Sequence, residues 1–214
     1  MPHARIKICG ISTAATLDAV LAANAEFVGF NFFTPSPRHV SPADAAALAA
    51  RAGTRIARVG VFVDPADSLL EPAIAAGRLD AIQLHGDEPP ARSAALRARH
   101  GLPVWKVIPV SSAKDVARAR DYREAADFIL FDAKTPKDAA LPGGMGLRFD
   151  WSLLSGLDPA LPWGLAGGLS PANVAGAIAA TGAGLVDTSS GVESAPGAKD
   201  VGKIAAFCTA VRSA

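Results

Sequence analysis

R-I-K-I-C-G, Arg5 to Gly10, is a short apolar run closed by glycine, and I-S-T follows it. Such a run, bounded by glycine and rich in isoleucine, reads as a buried strand. What comes next separates two architectures. An open doubly wound sheet that holds a dinucleotide carries G-x-G-x-x-G after its first strand, and no such series follows Cys9. A closed barrel needs eight repeats of one strand–helix unit.

Outward from Gly10 the count reaches eight. The runs are I-K-I-C (6–9), F-V-G-F-N-F-F (27–33), A-R-V-G-V-F-V (57–63), A-I-Q-L-H (81–85), V-W-K-V-I-P-V (104–110), F-I-L-F-D (128–132), W-G-L-A-G (163–167) and G-L-V-D-T-S (184–189). Between them, Ala-rich segments carry apolar residues at helical spacing, as at Leu17, Val20 and Leu21, and at Val201, Ile204, Ala205 and Cys208. Ser41-Pro42 and Ser170-Pro171 each offer a serine cap with proline at the first helical position, and Ser12 caps the first helix in the same way. Only the segment from Trp151 to Leu157 is weak as a helix, and a Gly/Pro-rich stretch from Ala139 to Gly146 precedes it. No linker or composition shift divides the chain. The sequence therefore predicts an α/β protein, a single-domain (β/α)8 TIM barrel over residues 1–214.

Composition narrows the function. Of 214 residues, 50% are hydrophobic, enough for a sizeable core, and 21 Lys+Arg against 20 Asp+Glu leave a formal charge of +1. That balance gives no footprint for nucleic acid. No apolar stretch approaches the ~20 residues of a membrane helix, and M-P-H-A-R is no signal-peptide start. The two cysteines lie far apart without C-x-x-C, and His3, His39, His85 and His100 are scattered. The expectation is a cytoplasmic protein with reduced thiols and no metal site. Its exposed helix faces look ordinary, which predicts a monomer, and a cysteine base beside an aspartic acid would need no cofactor.

In a barrel, chemistry collects where the strands end. Cys9 ends the first run, either as a small buried hydrophobe or as a thiol at the barrel mouth ready to move a proton. Arg38 lies in T-P-S-P-R-H after the second, either a solvated arginine or a fork for a carboxylate or phosphate. Gln83 and His85 share one face of the fourth run, placed to contact a ligand or to pair with each other. Asp132 ends the sixth; it could cap a turn, pair with Lys134, or act as an acid if burial raises its pKa. Gly167 and Gly168, before Ser170-Pro171, and Ser189, Ser190 and Gly191, after Asp187, sit where this fold holds phosphate. Cys208, at core spacing on the last helix, reads as buried packing.

K-I-C-G, G-F-N-F-F-T-P-S-P-R-H-V-S, Q-L-H-G, F-D-A-K, G-G-M-G-L-R-F-D-W, L-A-G-G-L-S-P-A-N-V and D-T-S-S-G-V-E-S-A-P-G-A-K-D together resemble the phosphoribosylanthranilate isomerase family of tryptophan biosynthesis. The resemblance runs from Lys7 to Phe207, in family order and spacing. It implies a cofactor-free Amadori rearrangement of a small-molecule substrate, phosphoribosylanthranilate, with Cys9 as general base and Asp132 as general acid. Asp132 would protonate the ribose ring oxygen as the ring opens to a Schiff base. Cys9 would take the proton from C2′, giving an enolamine that tautomerises to the ketose. Arg38 matches the arginine that holds the anthranilate carboxylate, and Gly167, Gly168, Ser189, Ser190 and Gly191 match the phosphate loops. Gln83, His85, Asp187 and the backbone at Gly144 and Gly146 complete the implied binding set.

Two positions depart from the family pattern. Met145 stands in G-G-M-G where a small polar residue is common, which removes a side-chain hydrogen bond there. Thr188 replaces a common valine, a change expected to alter packing only. Rival readings are another phosphosugar isomerase on this fold, such as the sister enzyme of histidine biosynthesis with aspartate in place of Cys9, and a binding module without chemistry. The paired thiol and carboxyl favour catalysis over binding alone.

Overall fold

The computed structural model describes residues 3–136, 143–157 and 161–214. Its frame is a closed barrel of eight parallel strands in chain order: β1 (Arg5–Cys9), β2 (Phe27–Asn31), β3 (Ala57–Phe62), β4 (Ala81–Leu84), β5 (Val104–Val110), β6 (Phe128–Ala133), β7 (Trp163–Leu165) and β8 (Leu185–Thr188). β8 closes on β1, with Ile6 beside Val186 and Ile8 beside Thr188. Outside lie α1 (Ala14–Ala22), α2 (Pro42–Ala52), α3 (Asp67–Gly77), α4 (Pro90–His100), α5 (Ala113–Ala117), α6 (Val174–Thr181) and α7 (Val201–Arg212). A short antiparallel pair, β9 (Glu193–Ala195) and β10 (Ala198–Lys199), follows β8 at the mouth.

The period-two alternation of each strand builds two cores. Ile6, Ile8, Val28, Phe30, Ile82, Leu84 and Ile129 face outward against the helices. Val59, Ala81, Trp105, Val107, Phe128, Leu130, Ala166 and Leu185 fill the interior, where each large buried side chain contributes roughly 1.5–3 kcal/mol. Trp105 seals the interior at its base, 4.7 Å from Phe128 and 5.1 Å from Phe27 between ring centroids. On the same inward rows, one or two pleats further along, stand Lys7, Cys9, Gln83, Asp132 and Asp187. An apolar plug thus lies beneath a polar mouth.

Local details depart from the sequence reading in physically clear ways. α1 starts one residue later than expected, and Thr13, not Ser12, caps it by accepting from the Thr16 amide at 3.3 Å. Ser41 caps α2 as expected, in a capping box with Asp44 and with Pro42 in the first turn. After Ser170 the chain makes a turn, and α6 begins only at Val174. The Asn173 side chain accepts from the Ser170 amide and donates to Gly168 O, so it anchors the loop in place of a serine cap. β2 stops at Asn31 because the Asn31 side chain accepts the Phe33 amide and turns the chain. β7 stops at Leu165, short of the turn at Gly167 and Gly168. The weak sixth segment is a 3-10 helix, Trp151–Leu154, capped by Asp150. Of the Gly/Pro-rich stretch before it, positions 139–142 lie outside the described residues.

Candidate active site

β1 carries Lys7 and Cys9 on one face, two residues apart. Lys7 is fully buried, and its ammonium lies 3.1 Å from Asp187 Oδ1 on the neighbouring β8. Burial is the largest influence and opposes that charge, but Asp187 and Cys9 together outweigh it and hold Lys7 above the usual lysine range. Cys9 reaches the cleft and is partly exposed. Across from both lies Gly29 of β2. A Cβ there would sit 2.9 Å from Cys9 Sγ and 3.2 Å from Lys7 Nζ, so the missing side chain leaves thiol and ammonium facing each other. Burial pushes the thiol up, Lys7 pulls it down, and the net shift is upward. Cys9 is therefore harder to ionise than an ordinary thiol.

Asp132, at the end of β6, is buried, and its Oδ1 accepts the Ala133 amide at 2.7 Å. Its Oδ2 lies 3.3 Å from Nε2 of His85, which follows β4. Lys134, the partner considered from sequence, instead lies 3.4 Å from Asp115. His85 and Gln83 do not satisfy each other. Gln83 is 1% exposed and lines the cleft, and its Oε1 has no partner among the described residues. A buried acceptor left without a donor usually marks a ligand or an ordered water.

Arg38 is no solvated arginine: it is 5% exposed and lines the cleft. Nor is its fork free. Nε donates to Glu193 Oε1 at 2.7 Å, Nη2 to Glu193 Oε2 at 2.8 Å, and Nη2 also to Gly144 O at 3.0 Å. Burial works against the Glu193 charge, yet Arg38 and Lys199 hold that carboxyl below its usual range.

Between β6 and β1 around the barrel lie the loops after β7 and β8. Gly167 and Gly168 turn with φ of 86° and 62°, values that favour glycine. The amides of Gly167, Gly168 and Ser189 donate to no acceptor among the described residues. Ser189 Oγ donates to Cys9 O at 3.1 Å, tying this loop to the end of β1. Lys199 Nζ donates to Ser189 O at 2.9 Å. A positively charged ammonium thus lies against open amides, an arrangement suited to an anion. Ser190, Gly146 and Gly144 line the same cleft. So does Met145, 49% exposed at the rim. Thr188 does more than pack: its hydroxyl donates to Leu169 O at 2.7 Å and joins the two loops. Among the described residues, no three His, Cys, Asp or Glu side chains gather as metal ligands.

The structure brings Cys9, Arg38, Gln83, His85, Asp132, Gly144, Gly146, Gly167, Gly168, Asp187, Ser189 and Ser190 to one cleft, with Gly191 next in line. Sequence reasoning passed over Lys7, Glu193 and Lys199. Lys7 left a signal, since a lysine on the inward face of I-K-I-C needs a buried partner. Glu193 left none, because its partner Arg38 is distant in sequence, and Lys199 meets Glu193 only once the β9–β10 turn has formed.

A (β/α)8 barrel with a partly exposed thiol, a buried carboxyl and loops of open amides at one mouth is the architecture of a phosphosugar-handling enzyme. The family model for N-(5'-phosphoribosyl)anthranilate (PRA) isomerase matches residues 6–210. A relative of that name from Rhodopseudomonas palustris (strain BisB18) is 54% identical over 97% of this chain and 95% of its own length. Another, from Paramagnetospirillum magneticum, is 52% identical over 97% and 96%. The crystal structure of phosphoribosyl anthranilate isomerase from Thermotoga maritima superposes with a TM-score of 0.88 at 37% identity, covering 99% of this chain and all of that one. A second isomerase structure, in complex with reduced 1-(o-carboxyphenylamino)-1-deoxyribulose 5-phosphate, gives 0.85 at 34% identity, with coverage of 99% and 100%. The chain belongs to the PRA isomerase family and is an isomerase of tryptophan biosynthesis.

Proposed function

We propose that the protein converts N-(5'-phosphoribosyl)anthranilate into 1-(o-carboxyphenylamino)-1-deoxyribulose 5-phosphate by an Amadori rearrangement, with Cys9 as general base and Asp132 as general acid. One observation carries this reading: thiol and carboxyl flank the loops after β7 and β8 in a single cleft. With the 5′-phosphate on the amides of Gly167, Gly168 and Ser189, and Ser190 and Gly191 beside them, the ribose lies between Asp132 and Cys9. Arg38 takes the anthranilate carboxylate through Nη1, and Gln83 Oε1 accepts a hydrogen bond from the sugar or the anilino nitrogen.

In the first step Asp132 gives its proton to the ring oxygen, the C1′–O bond breaks, and the nitrogen lone pair forms the Schiff base. In the second, the Cys9 thiolate takes the C2′ proton, and the electron pair moves to give the enolamine. The enolamine then tautomerises to the ketose. Each positioned proton transfer contributes ~10²–10⁴-fold. Anchoring both ends of the substrate adds to this by holding C2′ near the thiol. The raised thiol makes Lys7 part of the explanation, since an adjacent ammonium favours the thiolate.

The whole chain, 1–214, acts as one catalytic unit in this reading, a cytoplasmic monomer. Leu69, Met145, Leu147 and Val201, the large apolar side chains exposed among the described residues, are too few for a broad docking face. No helix among those residues is long and apolar enough to cross a membrane.

The test is the loss of anthranilate-type fluorescence from freshly generated substrate, with the wild-type protein and Cys9→Ser in parallel. Decay in wild type that collapses in the variant, while the reduced product analogue still binds, supports reaction and base together. No decay in wild type overturns the reaction; equal decay in both returns Cys9 to packing.

A further inference from the structure

Arg38 enters the cleft with three of its five N–H donors already engaged: Nε and one Nη2 hydrogen by Glu193, the other Nη2 hydrogen by Gly144 O. Glu193 is fixed in turn. Lys199 Nζ donates to Oε1 at 2.6 Å, and the Gly197 amide to Oε2 at 3.2 Å. Lys199 also donates to Ser189 O at 2.9 Å and Ser189 Oγ at 3.0 Å. Arg38 and Glu193 are 5% and 8% exposed, and the Lys199 side chain 1%, so solvent does little to screen the network.

The charges are unevenly placed. At the Arg38 end, the Glu193 carboxylate offsets the guanidinium charge, and among the described residues only the Nη1 hydrogens are left for a ligand. At the Ser189 end, the Lys199 ammonium shares Glu193 Oε1 with Arg38, but the amides of Gly167, Gly168 and Ser189 are open among the described residues. One end of the cleft is suited to a doubly charged phosphate and the other to a weaker anion.

We propose that Glu193 is a specificity-determining residue. By neutralising Arg38 and occupying its bidentate edge, it fits that end of the cleft to a singly charged carboxylate and turns away a phosphate dianion. The inference rests on the placement of the substrate carboxylate at Arg38. A second phosphate there would meet the Glu193 carboxylate across one guanidinium and find no paired edge to bind, a repulsive element that discriminates between anions. This would separate the substrate from sugars phosphorylated at both ends.

Two probes test it: reduced 1-(o-carboxyphenylamino)-1-deoxyribulose 5-phosphate, and the same molecule with a phosphonate in place of the carboxylate. Their dissociation constants are measured by calorimetry at pH 8, where the phosphonate carries two charges. Both share ring, sugar and 5-phosphate, so their ratio isolates the anion at Arg38 from any general loss of fit. Wild type is expected to favour the carboxylate at least tenfold. Glu193→Gln should shrink that preference at least tenfold. Lys199→Met, which removes the cation from Glu193, should widen it, and serves where Glu193→Gln does not fold. A ratio unchanged in the folded variants, or no preference in wild type, overturns the role of Glu193. If wild type binds neither probe, the substrate reading falls as well.

Discussion

His85 Nε2 lies 3.3 Å from Asp132 Oδ2 and joins the end of β4 to the end of β6. With Oδ1 on the Ala133 amide, both carboxylate oxygens are oriented before any substrate arrives. Orientation of this kind is what a general acid needs. Asp132→Asn keeps the shape and removes the transferable proton. It is expected to lower kcat by ~10²–10⁴-fold. Affinity for the reduced product analogue should move by less than about threefold, since the anchors lie elsewhere. A kcat within tenfold of wild type in single-turnover experiments would remove Asp132 from the role of acid.

In the proposed mechanism Lys7 acts through Cys9. Burial pushes the thiol up, and Lys7 is the stronger of the two cations that oppose it, ahead of Lys199; Asp187 pushes the thiol further up. Lys7→Met alone would strand a buried carboxylate at Asp187, which costs several kcal/mol. The double variant Lys7→Met/Asp187→Asn avoids this. Because the pull of Lys7 exceeds the push of Asp187, the pH profile of Cys9 alkylation should still move to higher pH in the double variant. Cys208 does not interfere, being buried and pushed up to about 11. An unmoved alkylation profile would make Lys7 a structural residue only.

Much of this site was legible because a barrel converts strand ends into neighbours. Eight apolar runs gave the architecture, and the last polar residue on several of them marked the cleft. Cys9, Asp132 and the Gly167–Gly168 turn could be placed that way. What stayed hidden was electrical. A sequence shows that Arg38 exists, but not that Glu193 holds its fork, because the pair forms only when β9 folds back across the mouth. Nor does a sequence show that Cys9 is hard to ionise, since burial is a property of the packed barrel. The start of α1 differs by one residue because Thr13 caps it in place of Ser12, and that of α6 by a few because Asn173 holds the Ser170 amide in a turn.

Gln83 offers a test that separates binding from folding. Its buried Oε1 has no partner among the described residues, a burden of ~1–3 kcal/mol in the unliganded protein unless a donor arrives. Gln83→Leu removes that burden at similar volume. The thermal midpoint of the unliganded protein should hold or rise, while affinity for the reduced product analogue drops about tenfold. A falling midpoint together with unchanged affinity would mark Gln83 as part of the barrel's internal support.

Away from the cleft, Asp115 supplies a pH-dependent stabilisation. Burial alone would raise its carboxyl, but the Ser111 amide and hydroxyl at 3.0 and 2.9 Å and the Ser112 hydroxyl at 3.0 Å outweigh it. The net result is a pKa near the start of α5 of about 2, against 3.8 in the unfolded chain. A depressed carboxyl stabilises the fold above its unfolded pKa and loses that contribution as pH falls through the folded one. The contribution should be full above pH ~4 and gone near pH ~2. By linkage it amounts to about 1–2 kcal/mol after allowance for solvent screening. Asp115→Asn should therefore destabilise the protein by about that amount in urea titrations at pH 7. The deficit relative to wild type should narrow between pH ~4 and ~2, as the native aspartate itself takes up a proton. A deficit constant across that window would place the role of Asp115 in the shape of the turn, not in its charge.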